Sequence, residues 1–119
     1  MKRDWELVRQ ILIAVEALES HGQVVRSSAI EGYDPELVAY HIHMLIESGL
    51  IDGTCSRSIN GPRQCVAREL TWPGHEFLDQ IRSQKVWSRT LGLIREKGLD
   101  LSFETIKAAA GAVVSSLLS

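Results

Sequence analysis

The stretch DPELVAYHIHMLIESGLI, Asp34 to Ile51, decides how the rest of the chain is read. Its apolar residues Val38, Ile42 and Leu45 share one face at helical spacing, and Gly49 ends the run before the apolar pair Leu50 and Ile51. Asp34 stands where a helix takes its N-cap, Pro35 occupies the first helical position, and Glu36 places a carboxylate at the positive end. The spacing predicts a helix over 34–48 that passes directly into a strand.

Gly53 to Thr71, which follows, can form a hairpin around Asn60-Gly61-Pro62. A helix running into a two-stranded wing predicts a winged helix-turn-helix, mainly α with a small β-hairpin, in the α+β class. Val66, Arg68 and Leu70 alternate with Ala67, Glu69 and Thr71, a strand pattern with Leu70 facing the core. Cys55 and Cys65 flank the turn. A two-residue Asn60-Gly61 turn would put them on opposite faces of the ribbon, whereas a three-residue loop from Ile59 to Gly61 would pair them directly. Pro62 cannot donate a closing amide bond, so the register stays open. Because MKRDWEL lacks the apolar core of an export signal, reduced thiols are expected.

Upstream, Trp5, Val8, Ile11, Leu12, Val15 and Leu18 predict an amphipathic helix over 3–18, closed by His21-Gly22 with the glycine as a left-handed cap. Gln23 to Ile30 lies where a helix-turn-helix ordinarily places another helix. It is short, β-branched at Val24 and Val25, and followed by Gly32, which predicts a short strand and at most one helical turn: a reduced second helix. Downstream, Thr71 caps a helix whose inward side is Phe77, Leu78 and Ile81. A helix from about 85 to 97 buries Trp87, Leu91 and Ile94 before Gly98, and a last one runs from a Ser102 cap to about 118. Residues 1–83 read as a winged-helix core and 84–119 as a C-terminal helical extension of the same domain. Ala108 to Ala112 make the last helix nearly uncharged, so it packs either on the core, against the first helix, or on a second copy as a homodimer seam.

The length of 119 residues suits one domain, and 45% hydrophobic with 24% charged residues is ordinary for a folded protein. No apolar run approaches the ~20 residues of a membrane span, so a cytoplasmic protein without a membrane partner is expected. His41 and His43 are two apart on a helix and diverge by about 200°, so they cannot share an ion. Cys55, Cys65 and His75 lack the spacing of a structural zinc site, and no metal or cofactor is expected. His41 reads as packing at the core margin and His75 as part of its helix's first turn. No serine, histidine and aspartate order, glycine-rich phosphate loop or unexplained carboxylate pair is present, and an enzyme is not expected. Trp5, Trp72 and Trp87 each suit core packing.

YHIHMLIESGLI at Tyr40 to Ile51, LTWPGHEFLDQIR at Leu70 to Arg82, KVWSRTLGLIREKG at Lys85 to Gly98 and the opening MKRDWELVRQIL together resemble a family of small uncharacterised proteins of bacteria and their phages. More broadly, VAYHIHMLIESGLI followed by a hairpin and LTWPG is similar to the core of winged-helix transcriptional repressors. That resemblance implies a major-groove helix presenting Glu36, Ala39, Tyr40, His43 and Glu47, with Arg57, Asn60 and Arg63 at the wing.

Charge bears directly on that implication. The net charge is -2, and from Ser27 to Ser56 there is no Lys or Arg while Glu31, Asp34, Glu36, Glu47 and Asp52 are acidic. Phosphate contacts dominate duplex affinity, so a pull on double-stranded DNA would come from the wing arginines and from Arg82, Lys85 and Arg89, with Arg95 and Lys97 beyond them, although scattered charges of this kind equally suit a solvated face. Two functions follow: a small DNA-binding regulator that works mainly through its wing, and a winged-helix protein-interaction module whose acidic helix, with Tyr40 and His43, meets a basic protein partner.

Overall fold

The computed structural model describes residues 1–57 and 61–118, Arg57 through its backbone alone. Among these run α1 (Trp5–Glu16), β1 (Val25–Arg26), α2 (Pro35–Glu47), β2 (Ile51–Arg57), β3 (Arg63–Leu70), α3 (Trp72–Ile81), α4 (Gln84–Glu96) and α5 (Phe103–Leu118). The protein is α+β and mostly helical, with a small antiparallel sheet in the order β1-β3-β2. It divides into two compact units, Met1–His75 and Glu76–Ser119.

In the first unit α1 and α2 pack on the sheet. Asp4 caps α1, its side chain accepting from the Leu7 N–H at 3.1 Å. Leu7, Ile11 and Leu12 are completely buried, each stabilising by roughly 1.5–3 kcal/mol over exposure. The helix stops at Glu16, short of the expected His21-Gly22 cap, and Gly22 is not among the glycines with positive φ. Beyond Val15 the chain offers only half-buried Leu18 to hold a further turn, and Gln23 Oε1 instead takes the Glu19 N–H at 2.8 Å.

Val25 and Arg26 form the short strand expected there, paired with Ala67 and Val66. The Ala29 N–H donates to Arg26 O at 2.9 Å, making a turn where a longer helix would otherwise stand.

α2 buries Val38, Ala39, His41, Ile42 and Leu45. Ala39 is 0% exposed, which corrects its expected place on the groove-facing side: it lies one turn before Ile42 on the packed face. Asp34 does occupy the N-cap position, but its side chain makes no capping hydrogen bond, contrary to expectation. At the other end Gly49 adopts φ 81°, its N–H reaching Ile46 O and the Leu50 N–H reaching Leu45 O at 3.1 and 3.0 Å. That left-handed glycine turns the chain out of α2 and into β2. Gly98 ends α4 in the same way, with φ 66°, its N–H reaching Arg95 O and the Leu99 N–H reaching Ile94 O.

The hairpin pairs Cys55 with Cys65 and Arg57 with Arg63, a register that sets the two cysteines directly opposite one another, while Ile59 and Asn60 of the expected turn lie outside the described residues. Direct cross-strand placement joins Cys55 and Cys65 as a disulfide, correcting the expectation of reduced thiols. A bulge in β3 opposite Asp52 and Gly53 leaves Arg68 without a register partner in β2. The strand's phase flips there, so Cys65, Ala67 and Leu70 all face inward, while Val66 is half-buried and Arg68 and Glu69 face solvent. Simple alternation along 66–71 missed that shift.

Thr71 links the sheet to α3. Its N–H donates to Leu50 O at 3.1 Å, its Oγ1 accepts from the Gly74 N–H at 3.2 Å, and its hydroxyl donates to Gly49 O. Gly74 lies so close to the Leu50 carbonyl that a Cβ there would collide with it. Trp72, at the first position of α3, is 77% exposed and is not a core residue as expected, because the helix turns the face bearing Gly74, Phe77 and Leu78 inward.

In the second unit, α4 starts at Ser83, whose Oγ accepts from the Val86 N–H at 3.3 Å, and α5 at Ser102, whose Oγ accepts from the Thr105 N–H at 3.2 Å. α4 and α5 pack on one another. Trp87, Ile94, Ile106 and Ala110 are buried, and the rings of Phe77 and Phe103 lie 4.7 Å apart. α5 buries Ile106, Ala109, Ala110 and Val113 and exposes Ala108, Ala112, Leu117 and Leu118.

Candidate nucleic-acid interface

α2 is held in place by a contact the sequence did not disclose. His41 is 0% exposed; its Nε2 accepts from the Asp4 N–H at 2.8 Å, and its Nδ1 lies 2.9 Å from Leu37 O. A backbone amide only donates and a carbonyl only accepts, so this geometry selects the neutral ring with its proton on Nδ1. The imidazole thus ties the start of α1 to α2 from within the core rather than from its margin. Near the same helix start, burial and then the Asp4 and Glu6 carboxylates push the Tyr33 phenol above its ordinary 10.0.

The outer face of α2 carries Glu36, Tyr40, His43 and Glu47, spaced by alternating steps of four and three residues. Glu36 and Glu47 are exposed, while Tyr40 and His43 are half-buried. His43 Nε2 lies 2.9 Å from Glu47 Oε1, and the Tyr40 ring meets His41 edge-on at 5.7 Å. Four of the five residues assigned to this face are therefore together on it, with Ala39 the exception.

On the hairpin Arg63 is half-buried beside the turn, and Arg68 Nη2 donates to Thr54 Oγ1 at 3.2 Å. The Arg57 backbone pairs with Arg63, whereas the Arg57 side chain and Asn60 lie outside the described residues. In the second unit Lys85 and Arg89 are exposed and four apart on α4, and Arg82 pairs with Asp79 at 2.8 Å.

Among the described residues of the first unit, cavities open at two places that bear on function. One, of about 350 Å³, lies between the end of α1 and β3 and presents His21, His75, Glu16, Glu19, Arg68 and Glu69. The other, of about 210 Å³, lies between β1, the first turn of α2 and the start of β3, and presents Arg26, Ser27, Ser28, Glu36, Arg63 and Gln64. Sequence reasoning missed Arg26 and the two serines; Arg26 beside Val25 could have been found as an outward residue of a two-residue strand. Among the described residues no group of three or more His, Cys, Asp or Glu could hold a metal ion, and no helix is long and apolar enough to cross a membrane.

These parts define a small α+β protein in which one helix passes through a glycine turn into an antiparallel hairpin, with basic groups at the hairpin and along a later helix. Residues 2–100 match the family described as hypothetical protein (DUF2513), and the chain belongs to that family. A protein of Haemophilus influenzae described as uncharacterized is similar to it, 39% identical over 119 residues that span 100% of both chains. No solved structure matches.

Proposed function

We propose that the protein is a small winged-helix DNA-binding regulator of bacterial or phage origin, acting in the cytoplasm and dimeric through α5. The observation that carries this reading is the continuous path from α2 through Gly49 into β2 and β3, which sets a helix with a free outer stripe next to a two-stranded wing. Arg57, Asn60 and Arg63 near the wing tip are its contacts to the duplex backbone. Tyr40, His43 and Glu47 on α2 face the groove, and Arg82, Lys85 and Arg89 supply further phosphate contacts. The small exposed residues Ala108 and Ala112 suit close approach of a second α5.

The test is binding of a labelled random-sequence duplex at rising salt, beside an Arg57→Ala/Arg63→Ala variant. Each phosphate contact adds about 0.9 to the slope of log affinity against log salt, so the variant should bind more weakly with a slope shallower by roughly 2. Absence of binding at low salt would sink the proposal.

A second reading has its own support. The outer stripe of α2 carries two carboxylates, a phenol and an imidazole and no Lys or Arg, a composition suited to a basic protein surface. Under that reading a pull-down loses its partner with Tyr40→Ala and His43→Ala, while the Arg57→Ala/Arg63→Ala variant retains it.

A further inference from the structure

We propose that the cavity between β1, the first turn of α2 and the start of β3 is a seat for a phosphoryl oxyanion. Its volume of about 210 Å³ accommodates a tetrahedral anion with several waters, at ~30 Å³ for each water.

Unspent donors converge on that space from three elements. Arg26 and Arg63 both line it, and among the described residues neither guanidinium has a carboxylate within ion-pair distance. Ser27 is 7% exposed; its Oγ takes the Cys65 N–H at 3.5 Å, and its own proton has no acceptor among the described residues. Ser28 and Gln64 add a hydroxyl and a carboxamide. α2 ends on the cavity through Pro35 and Glu36, and because the Asp34 side chain makes no cap, the Glu36 and Leu37 N–H groups have no acceptor among the described residues.

The charge on the lining is two guanidiniums against the single carboxylate of Glu36, in a chain whose net charge is -2. An unpaired cation pair at one cavity of an acidic protein favours an anion, and the helix N-terminus adds its partial positive charge. A carboxylate ligand offers two oxygens in one plane. A phosphoryl group offers oxygens in tetrahedral directions, which match donors arriving from β1, α2 and β3. The same chemistry is carried by a phosphodiester in a duplex backbone and by a free phosphate, so the seat does not depend on DNA binding.

The test is an amide-resolved NMR titration of the whole protein with inorganic phosphate, with sodium chloride at matched ionic strength as the control. Saturable shifts at Ser27, Glu36, Leu37 and Gln64 are expected. Binding should weaken by roughly tenfold or more in Arg26→Gln/Arg63→Gln and stay unchanged in Arg3→Gln, an exposed arginine away from the cavity. The two single variants, each several-fold weaker, decide the matter if the double variant fails to fold. Shifts that do not saturate, that chloride reproduces, or that persist undiminished in the variants overturn the seat.

A second titration with a short duplex separates the sources. A duplex that moves the same amides and is displaced by phosphate supports the seat with a backbone diester in it. Phosphate binding without duplex binding supports the seat for a free phosphate and sinks the DNA reading. Duplex binding that leaves these amides unmoved, together with no phosphate binding, overturns the seat and leaves the DNA reading standing.

Discussion

Reducing the Cys55–Cys65 bridge is expected to lower stability by about 2.7 kcal/mol. The figure follows from the loop it closes: a sequence separation of 10 removes about 9 cal/mol/K from the unfolded chain in the loop-entropy treatment. For a chain of 119 residues unfolding in one step, that corresponds to a fall in Tm of roughly 10 °C. The assay is a pair of thermal melts followed by circular dichroism, with and without a thiol reductant, repeated on Cys55→Ala/Cys65→Ala. Reductant should shift the natural sequence and leave the alanine variant where it was. Cys65 is 1% exposed and sits between β1 and β2 in the sheet, so the variant also loses packing and should melt below the reduced protein. Coincident melts of the oxidised and reduced protein would refute the entropic argument. Two titratable thiols in native protein purified without reductant would refute the bridge itself.

His41→Ala should cost roughly 2–4 kcal/mol, combining a core void with the loss of the acceptor for the Asp4 N–H, and should lower the urea midpoint at unchanged m-value. The ring's nitrogen shifts should report a proton on Nδ1 only; a proton on Nε2 would contradict the Asp4 bond. Replacing an interior helical glycine by alanine ordinarily stabilises by up to about 1 kcal/mol, but Gly74→Ala should destabilise by about 1–3 kcal/mol in denaturant melts because its Cβ meets the Leu50 carbonyl. Tyr33 holds its proton more tightly folded than unfolded, so its contribution to stability is full below pH 10.0 and is lost as pH rises through the raised folded value. Ultraviolet titration of a Tyr40→Phe variant isolates this phenol, and an ionisation at or below 10.0 would contradict the placement of Asp4 and Glu6 beside it.

What the sequence disclosed was mostly local. The exit from α2 was legible because Gly49 follows a helical apolar run and precedes two apolar residues, a pattern with one common solution, the left-handed cap. The short strand at Val25 was legible because two β-branched residues stood between glycines with too few residues for a helix. Failures came where distant residues decide. The bulge at Arg68 depends on how β3 meets Gly53, and the disulfide depends on a register that the turn sequence left open. Compartment reasoning pointed to free thiols, while the pairing of 55 with 65 governs the outcome. Ala39 and Trp72 were placed from a repressor resemblance and from residue type, and neither contains the rotation of a helix against its sheet. At the anion cavity Arg63 was recognised as part of the wing, but Arg26 lies on a strand whose partner is about forty residues away.

The bond from the Asp4 backbone to His41 divides one residue into two separable parts. Its carboxylate serves α1, and its peptide group serves α2. Asp4→Ala therefore removes the helix cap and leaves the imidazole satisfied, whereas Asp4→Pro removes the N–H as well and strands the ring. For protein engineering, the fourth residue may change its side chain at the modest cost of a cap, but its amide hydrogen is not negotiable. A fusion joined upstream should keep the main chain unbroken in direction through Arg3 and Asp4, since a bend there would pull the peptide away from a histidine that is fully buried.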